Sequence, residues 1–421
     1  MADEMEQQLR EEIASQKIFL TGLPTLRSII DERSLASPET KARAQLIKEL
    51  SDNEEKLELL LESKRVAAVV CLQDELHPPL DSEDCPVCLE TIKHVNNATI
   101  MRLFCCGGWI CIQCSNERNA KDKEGASDEM YRDKCPLCRE EFTNKGDYKG
   151  LGTRALEHSN KGKAWAQMYI GTRYLNGIHD FALEEKKGLQ LMTAAADQRD
   201  PDALLLMALE YNIGEKLERD ESKCVYYLKE AADLGHPEAQ RALGLAYESL
   251  NDEKMKLHYT TLAASTGDYI ACGMLGAYFM TNECSLTKSL ILGKHYCEKS
   301  LEDPDQANLA SAHNFSCALL QLGSDRYGGV VEIPGHSPVP KALFWARRVH
   351  EGDDGELRGN ASELISMVEN TAKNMCTNCR KKTGCSSLKR CVQCLGAWYC
   401  GKECQVQHWK AGHKIDCIKR K

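Results

Sequence analysis

Nowhere in its 421 residues does the chain assemble the roughly 18 consecutive apolar residues that a membrane span requires, so no membrane partner is expected. Positive charge is not in excess either. Lys+Arg 54 against Asp+Glu 63 leave a net charge of −9, which argues against a generic polyanion binder and against nucleic acid as the main partner. The opening stretch, MADEMEQQLREE, is acidic and polar, so no secretion signal is expected. A Walker-type phosphate loop, a nucleophile elbow and an H-E-x-x-H motif are all missing. That removes the common sequence signs of a catalytic centre, and no catalytic residue is assigned.

Cysteine, by contrast, is abundant, at 22 residues. In a small secreted protein this would mean disulfides. Here the chain is long enough for about three domains and pairs many cysteines as C-x2-C, which means zinc thiolates in a reducing compartment, cytoplasm and/or nucleus.

The second signal is a period. An alanine is followed five residues later by a small residue and eight later by an aromatic, in Ala166/Gly171/Tyr174, Ala203/Ala208/Tyr211, Ala239/Gly244/Tyr247 and Ala271/Gly276/Phe279. The alanines are 37, 36 and 32 residues apart, and a period in the 30s marks a helical repeat array. The small residues would let two helices approach closely, and the aromatic is expected to fill the gap against the next repeat. Gly177 and Gly214 are expected to close first helices, and second helices end in Ala195-Ala196, Ala231-Ala232 and Ala263-Ala264. The bulky residues Leu191, Tyr227 and Tyr259 sit one turn before these doublets, on the same face. The third copy is shorter, and the missing residues are placed in its loop near Asn251. A degenerate fifth copy starts at Ala312, is split by the Gly/Pro-rich stretch 324–340 and resumes over 341–350. Cys224, Cys272, Cys284, Cys297 and Cys317 lack knuckle spacing and read as buried packing thiols. The pattern resembles the Sel-one-like repeat, a relative of the tetratricopeptide repeat. That resemblance implies a curved array with a concave surface for protein partners.

The fold class expected is mainly α: an α/α helical-repeat solenoid over 162–350, flanked by two small cross-brace zinc modules over 81–145 and 373–418. A helical region, 1–80, precedes them. Within it Ser37-Pro38 reads as a cap and first turn, opening a helix to about Leu72. Asn53 and Lys64 interrupt its leucine heptad, which favours a solvated or docked helix over a coiled-coil dimer. The stretches 78–84 and 146–162 read as linkers.

In the first module Cys85-x2-Cys88, Cys105-Cys106, Cys111-x2-Cys114 and Cys135-x2-Cys138 supply eight thiols, enough for two tetrahedral zinc sites. The order resembles a RING finger, which implies interleaving: Cys85, Cys88, Cys111 and Cys114 on one ion, Cys105, Cys106, Cys135 and Cys138 on the other. Gly108 stands where the common RING pattern has a histidine. Either Cys105 and Cys106 both ligate, or one does and His94 or water completes the site. The cysteine pair is the expectation, because cysteine-only RING variants are known as a class. Such variants fused to Sel-one-like repeats, with a similar C-C-x4-C-x2-C core, recur in unicellular algae, and this chain resembles them. The resemblance implies a docking surface for a ubiquitin-conjugating enzyme at Val87, Pro136 and Leu137, with Arg139 bridging enzyme and ubiquitin. The tryptophan expected shortly after the sixth ligand is absent from Ser115-Asn116-Glu117-Arg118.

In the last module the order is Cys376-x2-Cys379, Cys391-x2-Cys394, Cys400-x3-Cys404 and His413-x3-Cys417. The last two pairs have the i, i+4 spacing of one helix face. With Tyr399, Gln405 and Trp409, the run resembles a MYND finger. That implies Cys376, Cys379, Cys400 and Cys404 on one zinc, and Cys391, Cys394, His413 and Cys417 on the other. Four zinc ions per chain are therefore expected, with Cys385 spare and His408 a surface or core residue. The resemblance also implies proline-containing peptides as partners. From Lys373 on, 12 basic and 2 acidic residues make this module +10, which reads as an acidic partner, nucleic acid, nuclear import or a solvated surface.

Two functions follow: a RING-type ubiquitin ligase that recruits substrates through the array and the MYND finger, or a non-enzymatic protein–protein adaptor. Lysine methyltransfer has little support. His313-Asn314-Phe315-Ser316-Cys317 faintly resembles a SET motif but lacks the following Pro-Asn and sits in helical periodicity.

Overall fold

The computed structural model describes residues 2–21, 38–78, 82–123, 134–141, 148–302, 308–326, 339–352, 355–374, 376–378, 388–414 and 417. Sixteen helices and three two-stranded antiparallel ribbons make up the described residues. None of these helices is long and apolar enough to cross a membrane. The chain divides into two units, Val69–Gly267 and Met1–Ala68 with Asp268–Lys421.

In the first unit the cysteine-rich module carries β1 (Glu83–Asp84), β2 (Thr91–Ile92), β3 (Ile100–Arg102), β4 (Trp109–Cys111) and α3 (Ile112–Lys123). Next come α4 (Tyr148–Asn160) and three helical hairpins: α5 (Ala164–Asn176) with α6 (Glu185–Asp197), α7 (Pro201–Ile213) with α8 (Glu221–Asp233), and α9 (Pro237–Ser249) with α10 (Glu253–Ser265). The second unit holds α1 (Ala2–Thr21), most of α2 (Pro38–Leu76), the hairpins α11 (Tyr269–Thr281)/α12 (Leu290–Ser300) and α13 (Leu309–Arg326)/α14 (Val339–Gly352), and α15 (Glu356–Ala372). The C-terminal module follows with β5 (Lys389–Arg390), β6 (Trp398–Tyr399), α16 (Lys402–His408) and a π turn over Trp409–His413.

The repeat signature has a direct physical meaning. A Cβ on Gly171 would lie 2.9 Å from Met192 Cγ and 3.0 Å from the Gly188 carbonyl, so α5 and α6 touch backbone to backbone only because both positions are glycine. Gly177 (φ 61°) and Gly214 (φ 78°) end their helices in the left-handed region, and Asn282 (φ 65°) does so for α11. Second helices start on side-chain caps: Asp220, Asp252 and Ser289 accept from the N–H three residues on. The α9–α10 turn spans only Leu250–Asp252, which locates the shortening of the third copy. Cys224, Cys272, Cys284 and Cys297 are buried and Cys317 is half-buried.

One expectation about the repeats is corrected. The signature aromatic finds its stacked ring partner within its own copy. It stacks on the bulky residue of its own second helix: Tyr211 on Tyr227 at 5.7 Å, Tyr247 on Tyr259 at 5.7 Å, Phe279 on Tyr296 at 5.8 Å, with planes within 10°. The two rings sit across the close contact that the small residue permits. In the first copy the partner position is Leu191, and Tyr174 turns edge-on to Phe181 instead, at 5.1 Å.

The supposed linker before the array is also corrected, because it is largely α4. Ala155 is fully buried against Ile170 and Tyr174, and Gly152 is where α4 comes close to Phe181. Gly152, one of the glycines that suggested a linker, serves close packing. Beyond 350, α15 adds a helix that lacked a repeat signature. Ser37 lies outside the described residues, and α2 begins at Pro38. Asn53 and Lys64, which break the leucine heptad, pair α2 with α1. Asn53 Nδ2 donates to Glu12 Oε2 and Gln16 Oε1, both at 3.3 Å, and Lys64 Nζ lies 2.8 Å from Glu6 Oε2. The helix is docked within the chain.

Candidate metal centres

Each zinc knuckle begins as a local backbone event. Leu89, Arg139 and Leu395 follow the second cysteine of Cys85-x2-Cys88, Cys135-x2-Cys138 and Cys391-x2-Cys394, and all three have positive φ, 62°, 65° and 53°. Their N–H groups donate back to the carbonyl of the first cysteine at 2.9–3.0 Å. A non-glycine residue in the left-handed region costs about 1 kcal/mol. The turn gains by presenting two sulfurs on one side and N–H groups toward them: Cys111 N donates to Cys85 Sγ at 3.3 Å and Cys138 N to Cys135 Sγ at 3.5 Å.

Among the described residues, four groups of ligand atoms converge, each within 4.8 Å. They are Cys85/Cys88/Cys111/Cys114, Cys105/Cys106/Cys135/Cys138, Cys391/Cys394/His413/Cys417 and Cys376/Cys400/Cys404. Cys379, expected as the fourth ligand of the last group, and Cys385 lie outside the described residues. The donor spacing fits zinc. Zn–S bonds near 2.3 Å in a tetrahedron place sulfurs about 3.8 Å apart. Cys88–Cys111 is 3.7 Å, Cys106–Cys135 3.9 Å, Cys138–Cys105 3.5 Å and Cys391–Cys417 3.8 Å, far beyond a disulfide bond. His413 presents Nε2 to this last set, 3.6 Å from Cys394 Sγ.

The electrostatics lead the same way. Burial alone would raise the Cys85 thiol, yet the N–H groups of Cys111, Cys88 and Val87 outweigh it and bring it down to about 6. Cys135 is lowered to about 7 against burial by the Cys138 and Leu137 N–H groups. Cys105 and Cys114 go upward, first from burial and then from the sulfurs around them. Four sulfurs in one place cannot all ionise without a cation, and a divalent metal removes that penalty.

At the second RING-like site a Cβ on Gly108 would lie 2.6 Å from Leu137 Cδ1, so a side chain there would have to displace that leucine. Cys106 Sγ lies among Cys105, Cys135 and Cys138 instead. His94 is elsewhere, packed on Gly235 with Nε2 3.9 Å from Asp74 Oδ1, and burial lowers its pKa.

The module meets the array through its β3–β4 turn, its β2–β3 loop and the residue after Arg139. Phe104 sits edge-on to Trp165 at 5.4 Å and Tyr169 at 4.7 Å, Asn96 Nδ2 donates to the Gly235 carbonyl at 3.3 Å, and Arg154 pairs with Glu140 at 3.0 Å. Val87 (49 %), Leu137 (36 %) and Arg139 stay exposed and Pro136 half-buried. Leu89, 75 % exposed beside the first knuckle, was not among the expected contact residues. The residue after a knuckle is the signal that would have found it.

In the C-terminal module Tyr399 is buried among the sulfurs and hydrogen-bonds His408 Nδ1 at 2.9 Å. His408, 1 % exposed, stacks on His413 at 4.6 Å, so it is a core residue that orients a ligand. Arg347 of α14 donates to the carbonyls of Cys394 and Leu395, both at 3.1 Å, and pairs with Glu369 at 2.6 Å. Trp398 packs with Leu343 and Val368. Gln405, Val406 and Trp409 remain exposed.

Comparison with known proteins agrees with this division. Residues 376–417 match the MYND finger family, and residues 166–200 and 201–236 match the Sel1 repeat. A histone-lysine N-methyltransferase of Arabidopsis thaliana, ASHR1, is 33 % identical over 100 residues, which are 24 % of this chain and 19 % of that protein. The chain thus spans about a fifth of that relative's length. Among solved structures, the protective antigen c5321 of uropathogenic Escherichia coli, with an SLR fold, is similar at 21 % identity and TM-score 0.42, covering 52 % of this chain and 44 % of the antigen. A Sel1 repeat protein from Oxalobacter formigenes is similar at 17 % identity and TM-score 0.40, covering 49 % of this chain and 80 % of the other. The chain carries Sel1 repeats and a C-terminal zinc-binding MYND finger, modules that point to protein–protein interaction.

Proposed function

We propose that this protein is a scaffold with RING-type ubiquitin ligase activity. The array and the MYND finger recruit protein substrates, and the cysteine-only module holds a ubiquitin-charged conjugating enzyme. The observation that carries the reading is the exposure of Val87, Leu137 and Arg139 on the two knuckles, while Phe104, Asn96 and Glu140 make the module's contacts with the array. Such a ligase forms no covalent intermediate. It holds the charged enzyme in a reactive geometry, which is a positioning effect. Four bound zinc ions, proline-containing peptides at Gln405, Val406 and Trp409, and residence in the cytoplasm and/or nucleus belong to the same proposal.

The test is autoubiquitination by the purified chain against a panel of conjugating enzymes. Arg139→Ala should leave zinc content and fold unchanged and lower ubiquitin transfer at least roughly tenfold, about 1.4 kcal/mol of lost positioning. Equal transfer by mutant and parent would favour the second reading, a non-enzymatic adaptor. One observation favours that reading: α3 offers Ser115 to Arg118 where ligases of this type carry a docking tryptophan. The methyltransfer in the name of the Arabidopsis relative is not part of this reading: His313–Cys317, the stretch with a faint SET likeness, lie inside the continuous helix α13.

A further inference from the structure

We infer that the array face formed by Ser289, Lys294 and Tyr296 is a recognition site for an acidic helix, and that α2 occupies it as an internal ligand. The inference rests on reading the array as a recruiting surface and names what that surface recruits: a helix with carboxylates at positions i, i+3 and i+7.

Three glutamates of α2 have this spacing, and each meets one polar group of the fourth hairpin. Glu55 Oε1 is 2.7 Å from Lys294 Nζ. The Ser289 hydroxyl, at the cap of α12, donates to Glu58. Tyr296 OH donates to Glu62 Oε1 at 2.6 Å. Burial and the adjacent Glu62 push the tyrosine hydroxyl upward, so it stays a donor. Glu62 is only 7 % exposed and is held in shape by Arg65 at 2.7 Å. Positions i, i+3 and i+7 share one face of a helix. Lysine, a capping serine and a buried tyrosine hydroxyl therefore read a row of carboxylates.

A small share of apolar burial makes this contact releasable. Over 51–68 the buried side chains are Ser51, Asn53 and Glu62, all polar, whereas Leu57, Leu59, Leu60 and Val66 are only half-buried and the nearest buried apolar residue is Leu50. The array's own helices bury Leu275, Phe279, Leu292 and Tyr296 instead. Apolar burial drives permanent packing, whereas a contact made of charge-assisted hydrogen bonds is weakened by salt and can be exchanged for an equivalent one. An external helix with the same carboxylate row satisfies the same donors. The apolar helix–helix contacts of the array need not move.

The test uses the full chain and a fluorescent synthetic peptide of residues 45–68 as probe. In the triple variant Glu55→Lys, Glu58→Ala, Glu62→Gln, hydrogen exchange over 45–68 should rise while 269–300 stays protected. The peptide should bind this variant roughly tenfold tighter than the parent, because the internal competitor has been weakened. Adding Lys294→Glu should abolish that gain. In the unmutated chain, exchange over 45–68 should increase as salt rises from roughly 0.05 to 0.5 M. Unchanged exchange under both treatments would overturn the proposal, as would a released helix without peptide binding or a gain that survives Lys294→Glu. Cellular partners that bind parent and Lys294→Glu chains equally would likewise remove this face as their site while leaving the scaffold reading intact.

Discussion

At the scale of single residues, the second RING-like site turns on Gly108 and Cys106. Leu137 lies where a side chain at 108 would go, and Cys106, two residues earlier, converges with Cys105, Cys135 and Cys138. Cys106→Ser should therefore strip zinc from that site, since a closed structural site has no spare ligand. His94→Ala should leave zinc content unchanged. Metal analysis and counts of reactive thiols in the two variants check this, and the reverse outcome would make His94 the ligand. Gly108→His should not restore a conventional site. It should displace Leu137, an element of the proposed enzyme-docking surface, and lower transfer with it.

At the scale of elements, three of the hairpins share one device, a stacked ring pair. Tyr259 is 4 % exposed and lies parallel to Tyr247. Tyr259→Ala should cost about 3–5 kcal/mol, the usual loss for a buried aromatic, measured by urea unfolding. The C-terminal finger is tied to the array's last helices by a different device. Burial would raise the Glu369 carboxyl, but Arg347 and Arg390 hold it below its ordinary value of 4.5. A carboxyl depressed in the folded state contributes in full above that ordinary value and loses its contribution as pH falls through the lower folded one. Exchange protection of α15 should fall over that acid range in the parent. Glu369→Gln should begin lower and lack this part of the pH dependence.

At the scale of the whole molecule, metal and helix supply stability separately. Structural zinc is worth on the order of 10 kcal/mol to a small module with little apolar core. The hairpins have their own cores, with Leu204, Leu228, Leu243 and Leu262 buried in one unit and Phe315, Trp345 and Val349 in the other. Chelation should release four zinc ions and unfold both cysteine-rich modules while most helical signal remains. Simultaneous loss of all helix would contradict the modular architecture, and two or fewer ions in the purified protein would remove one module from the metal account.

The sequence alone determined what depends on neighbours in the chain. Knuckles are i, i+3 pairs, the last ligand pairs are i, i+4 pairs, and the repeat recurs at a constant interval, so cysteine clusters and helical hairpins were legible without coordinates. The αL caps Gly177 and Gly214 were legible for the same reason. The tertiary structure decided what depends on distant residues. Gly152 looked like part of a linker until Phe181 lay against it, and the ring that Tyr247 would meet followed from a backbone approach that no local pattern encodes. Asn53 looked like a defect in a heptad until Glu12 and Gln16 faced it. Glu55, Glu58 and Glu62 carry no local sign of their roles, because their partners Lys294, Ser289 and Tyr296 lie more than 200 positions away. A carboxylate has the same local signature in water and against a tyrosine hydroxyl. Only the fold brings the second partner to it.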